Sequence, residues 1–211
     1  MDHAMQLWLF FLVVFGVVLL PGLDMAFVLG SALTGGRRHG LVAVAGIVAG
    51  GVCHVAAAGL GVGLLIKLIP GAFNAVLIGG ALYMAWIGWS LLRSRSGGGI
   101  AAAGEMLPAG ATFRRATLTS LLNPKAYLFM LAIFPQFISP DYGPVWLQCL
   151  VLGLIIWATQ AGVYGALALG AAGARSWMES RPGAGLALNR GVGVVLVLAA
   201  AWTGFAGWQS L

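Results

Sequence analysis

An aspartate and a lysine stand in stretches that are otherwise apolar, and each adjoins a helix break. Asp24 follows Pro21-Gly22-Leu23, and Lys125 follows Asn123-Pro124. From Ala4 to Leu23 there is no Asp, Glu, Lys or Arg, so Asp24 lies in a segment that belongs in lipid. A charge at the bilayer centre costs about 2.5 to 3.5 kcal/mol to insert. Proline also removes a backbone donor that lipid cannot replace. A plain spanning helix needs neither feature, and the two together point to a binding site. Asn123 is suited to cap a new half-helix with Pro124 in its first position, and Asp24 is expected to cap the half-helix after Gly22 in the same way. Two positive helix ends directed at one volume favour an anionic group, and Lys125 adds to them. Asp24 in turn holds an ammonium or a proton. Such a set suits a zwitterion. The bland alternative is that Asp24 and Lys125 pair with each other and lock two parts of the chain together.

The composition shows what must position these residues. Of 211 residues, 61% are hydrophobic and 8% charged, against roughly 25% charged in soluble domains. The chain is an all-α polytopic membrane protein on this reading. Its net charge of +6 does not call for nucleic acid, because the basic residues sit between apolar runs. Six spans are expected. The first covers residues 7–33, broken at Pro21-Gly22, uncleaved, and ended by the turn at 35–40. The others cover 41–66, 72–92, 116–138 (broken at Asn123-Pro124), 145–172 and 191–208. Gly46-x-x-x-Gly50 and Gly59-x-x-x-Gly63 in the second span are small-residue ridges on which another helix can pack closely. The stretch between residues 93 and 115, with Gly97-Gly98-Gly99 and Pro108, reads as a cytoplasmic linker. It separates a first three-helix repeat (1–92) from a second (116–211) within one membrane domain.

Turns one, three and five carry Arg37, Arg38, Arg93, Arg95, Arg114, Arg115, Arg175, Arg181 and Arg190, whereas turns two and four carry only Lys67. The positive-inside rule makes the arginine-rich turns cytoplasmic and both termini external. An odd number of spans per half inverts the second half relative to the first. Laying one half on the other places Leu121-Leu122 on Leu19-Leu20, Phe129 on Phe27, and Asn123-Pro124 on Pro21-Gly22. Both breaks thus fall in the first span of their half, where inverted-repeat transporters unwind helices around a substrate.

His54, Gln160 and Gln136 are further polar candidates for the pore, although a lone histidine or glutamine in a membrane helix is more often a structural hydrogen-bonding group. The tryptophans lie mainly near span ends and read as interfacial belts. Cys53 and Cys149 sit in apolar runs and imply no disulfide framework. No P-loop, His-Glu-x-x-His or Gly-x-Ser-x-Gly sequence is present, so no enzymatic apparatus, metal site or cofactor is indicated. Two rival readings remain. A thiol redox conductor needs Cys53 and Cys149 to meet, and an exporter of metal ions or another small solute needs a cluster of carboxylates, His or Cys.

Pro21-Gly22-Leu23-Asp24, Asn123-Pro124-Lys125 and Pro135-Gln136-Phe137, in this order and spacing, resemble the LysE/RhtB family of bacterial amino-acid exporters. The likeness extends over the whole chain, through the Gly35-Gly36-Arg37-Arg38-His39-Gly40 turn and through Gly79-Gly80, Tyr83 and Gly88-Trp89. It implies export of amino acids or their derivatives across the inner membrane, driven by proton antiport, and allows a homodimer. The family pattern has a second proline where this chain has Leu23, a change expected to soften the first break.

With Cys53 and Cys149 replaced, a single cysteine at Tyr142 should react with an impermeant thiol reagent on intact cells, and one at Ser96 should not. The reverse pattern would overturn the orientation.

Overall fold

The structure is a computed structural model and describes residues 3–61 and 108–179, with isolated helical positions between 78 and 93 and between 187 and 205. Every described element is helical. Helix α1 (His3–Leu19) is apolar after Gln6 and ends where Pro21 offers no N–H and Gly22 is extended, at φ −173 and ψ −169. Helix α2 (Leu23–Gly59) starts directly after this break. Leu23 takes the first helical position, where a proline would also be accommodated. The interruption comes from Pro21.

Within α2 the chain reverses at Gly36, the residue with φ 70 and ψ −165. Residues eight apart on a straight helix are separated by about 12 Å, yet a methyl group on Gly40 would lie 2.8 Å from Ala32 Cβ. The left-handed φ suits glycine. The turn expected over 35–40 thus narrows to one residue, and Arg37 and Arg38 are already helical. Residues 37–59 rise about 34 Å, enough for a hydrocarbon core of about 30 Å.

Helix α3 (Ala109–Leu121) begins inside the stretch expected to be linker. Pro108 O accepts from Ala111 N at 2.9 Å and Thr112 N at 3.0 Å, and a proline ahead of the first turn forfeits no helical bond. Arg114 and Arg115 consequently lie on a helix. After Leu122 and Asn123 the chain re-enters helix as α4 (Pro124–Leu128), then widens into a π turn (Phe129–Ile133) and tightens into a 3-10 turn (Phe134–Phe137). The segments before and after the break are bent by 47°. Pro135 accounts for the irregular end, since its ring crowds the carbonyl four residues back and its missing N–H cannot continue the ladder. A short 3-10 turn (Pro140–Tyr142) follows, clamped by Gln148, whose Nε2 donates to Ser139 O and Gly143 O at 2.8 and 2.7 Å. Helix α5 (Val145–Glu179) then runs past its apolar part, which ends at Gly173, so Arg175 is helical and not in a turn.

Among the described residues, Leu23–Gly59, which bends at Gly36, and Val145–Gly173 are long and apolar enough to cross a membrane, or up to three segments are if the bent pair counts as one span. The described positions of expected spans three and six are helical. Lys67, Gly97 to Gly99, Tyr83 and Arg181 lie outside the described residues.

Helix α2 packs chiefly against α3 and α5. The glycine ridge permits this. A Cβ at Gly46 would sit 2.5 Å from Phe113 O and 2.6 Å from Ala116 Cβ, and one at Gly50 would sit 2.5 Å from Ser120 Cβ. Gly59 faces Cys149 on α5, while Gly63 lies outside the described residues. Such close approach supplies the dispersion contacts that hold helices together in lipid. Phe10 on α1 is fully buried, with the rings of Phe129, Phe134 and Phe137 at 5.9, 6.1 and 4.9 Å. This cluster seats α1 against the irregular segment that follows the second break.

Gly46→Ala should destabilise the fold by about 1 to 3 kcal/mol through overpacking against α3, read as a lower melting temperature in detergent. Gly16→Ala, with nothing within 4 Å, should hold or raise it, by up to about 1 kcal/mol of helix propensity. Equal shifts in both variants would contradict the packing.

Candidate functional site

Each break leaves a carbonyl whose helical partner would have been a proline N–H, because residue i accepts from residue i+4. At the first break that carbonyl is Val17 O, facing Pro21. Lys125 Nζ donates to it at 3.0 Å, and to Leu20 O at 2.9 Å. Val18 O, the next acceptor, receives the hydroxyl of Tyr164 at 3.4 Å. At the second break the orphan is Ser120 O, facing Pro124. The His54 Nε2 atom lies 3.0 Å from it, and Asn123 N donates to the same oxygen at 3.1 Å. Side chains from other parts of the chain thus stand in for backbone donors that the prolines lack.

The two breaks open on one cavity of about 480 Å³ of empty space, its mouth included. Asp24, His54, Asn123, Lys125 and Gln160 all line it, so five of the polar residues singled out in the sequence come together. Pro21 and Gly22 form the first break, and a Cβ on Gly22 would be 3.5 Å from Lys125 Nζ. Pro124 is buried at the first position of α4. Gln136 does not join them, being exposed on the 3-10 turn outside the cavity lining.

Asn123 caps α4 as expected, its Oδ1 accepting from Lys125 N at 3.1 Å. Asp24 does not cap α2. The cap position is Gly22, and Asp24 is the second helical residue, inside the first turn, where a capping side chain has no geometry to reach back. Its carboxyl is instead buried at the cavity, within reach of Lys125, His54 and the Asn123 side chain. Among the described residues no ion pair joins Asp24 to Lys125, because Lys125 Nζ is directed to the carbonyls of the first break. Asp24 Oδ1, Asn123 Nδ2 and Gln160 Oε1 are buried without hydrogen-bond partners.

Tyr164 and Ser120 also line the cavity. Tyr164 lies four residues after Gln160 on α5 and hence on the same helix face, a spacing that could have found it. The rest of the wall is apolar, with Val14, Val17, Val18, Phe129, Met130 and Ile156. Cys53 is exposed and Cys149 buried, both are free thiols, and neither lines the cavity. Among the described residues no three His, Cys, Asp or Glu side chains are grouped to hold a metal ion.

The family model described as LysE type translocator matches residues 7–204. An uncharacterized membrane protein of Pseudomonas aeruginosa is 32% identical over 195 residues, 90% of each chain. One from Vibrio cholerae is 36% identical over 152 residues, 72% of this chain and 73% of that one. A leucine efflux protein of Enterobacter is 35% identical over 140 residues, 64% of this chain and 65% of its own. No solved structure matches the chain.

Lys125→Met keeps the length of the side chain but leaves Val17 O and Leu20 O without their donor. It should destabilise by about 1 to 3 kcal/mol, chiefly through the part-buried Val17 O, since Leu20 O is exposed. His54→Phe should cost less, because Ser120 O retains Asn123 N. Thermal unfolding in detergent checks the order, and a larger loss for His54→Phe would contradict it.

Proposed function

Because the chain belongs to the LysE type translocator family, we propose that it exports amino acids or their derivatives across the bacterial inner membrane by proton antiport. The observation that carries the reading is a buried carboxylate, Asp24, with an unpartnered oxygen in a cavity where two broken helices meet. A buried charge without a partner is costly, and a proton or a substrate ammonium offsets that cost. Alternate occupation of one carboxylate by proton and by substrate is the simplest coupling chemistry for an antiporter. Lys125 supplies positive charge toward the substrate carboxylate, since two of its three N–H donors are engaged at the first break and one remains. The leucine efflux proteins among the relatives make leucine the first substrate to try.

The fold we propose around this cavity is the inverted pair of three-helix repeats, with both termini on the periplasmic side. The positions of the breaks support it, each in the first span of its half. The cluster of nine arginines in alternate turns supports the orientation.

In proteoliposomes, Asp24→Asn keeps the size of the side chain and removes the charge. It should abolish leucine export driven by a proton gradient while leaving leucine counterflow measurable. Gradient-driven export at the wild-type rate in Asp24→Asn would refute the proton role.

A further inference from the structure

Two of the three Lys125 donors are taken by the first break, so the two charged ends of an amino acid need partners in the cavity besides Lys125 and Asp24. Three buried atoms there lack hydrogen-bond partners: Asp24 Oδ1, Gln160 Oε1 and Asn123 Nδ2. Their residues are 4%, 9% and 1% exposed. Unpaired polar atoms at this burial are destabilising unless a ligand completes them. The chemistry they await is specific. Asp24 Oδ1 and Gln160 Oε1 are acceptors and take an ammonium. The Asn123 amide is fixed in orientation because its Oδ1 already accepts from Lys125 N at 3.1 Å, which leaves Nδ2 as a donor for a carboxylate.

The structure therefore points to a recognition role for Gln160 and Asn123. We propose that Gln160 shares the substrate ammonium with Asp24, that Asn123 donates to the substrate carboxylate, and that the side chain rests on the apolar wall. The proposal rests on the exporter reading and deepens it. It also assigns a substrate class. Val14, Phe129, Met130 and Ile156 offer a side chain no polar partner, and among the described residues Asp24 is the only acidic one lining the cavity. A cationic side chain would bring a second ammonium with no second carboxylate to receive it. Neutral apolar amino acids fit, and lysine and arginine do not.

Counterflow of radiolabelled leucine in proteoliposomes tests this with a panel of competitors. In the wild type, lysine, 4-methylpentanoate (no ammonium) and leucinamide (no carboxylate) should each compete about tenfold or more less well than leucine, because each leaves a buried polar group unpaired or misplaces a charge. Gln160→Leu should raise the half-saturating leucine concentration about tenfold and narrow the gap between leucine and 4-methylpentanoate. Asn123→Asp keeps an oxygen to cap α4 but turns the donor into an anion, so it should make leucinamide a better competitor than leucine. If Gln160→Leu fails to fold, the wild-type order and Asn123→Asp still decide. Wild-type counterflow of leucine with lysine competing equally, or with the order unchanged in the variants, would overturn this assignment and leave amino-acid export standing. Absence of counterflow with any amino acid would overturn both.

Discussion

A proline inside a membrane helix strips a carbonyl of its partner, and lipid has nothing to give in return. At the two breaks of this chain, Pro21 and Pro124, side chains reach in from elsewhere to the carbonyl that the proline leaves. Lys125 comes from just beyond the second break to serve the first, and His54 comes from α2 to serve the second. Lys125 ties the second break to the first, and His54 adds a bond from α2 to the second break beside the local one from Asn123 N, so the two are held at one cavity.

That arrangement makes a buried polar site affordable. The glycine ridge of α2 brings α3 close enough for His54 to reach Ser120 O, and the aromatic cluster around Phe10 holds the end of α1 beside the segment after Pro124. Three of the atoms left unpaired among the described residues, two acceptors and a donor, belong to residues that line one space. Lys125 carries two tasks at once, closing the first break and placing positive charge at the cavity. Any change at this residue is therefore felt in stability as well as in transport.

Much of this is legible in the sequence because the signals are local. Pro21-Gly22 and Asn123-Pro124 announce the breaks, Asn123 its own cap, and Gly46 with Gly50 the ridge. The remainder depends on contacts between distant segments. Nothing near Lys125 says that its ammonium will turn to Val17 and Leu20, since those carbonyls are more than a hundred residues away in the chain. Asp24 looks like a cap from its distance to the proline, but the helix starts two residues too early for that. The start of α3 at Ala109 and the reversal at Gly36 were hidden for a different reason. A glycine- and alanine-rich stretch reads as linker until packing selects its helical part, and two abutting helices need only one left-handed residue between them.

The dependence of the first break on Lys125 can be measured by a double-mutant cycle with Pro21→Ala and Lys125→Met, read from unfolding in detergent. Pro21→Ala returns an N–H to face Val17 O, so Lys125→Met should cost less stability in that background than in the wild type, with a coupling of about 0.5 to 3 kcal/mol. The same cost in both backgrounds would show that the lysine does not stand in for the missing proline donor, and would contradict the account.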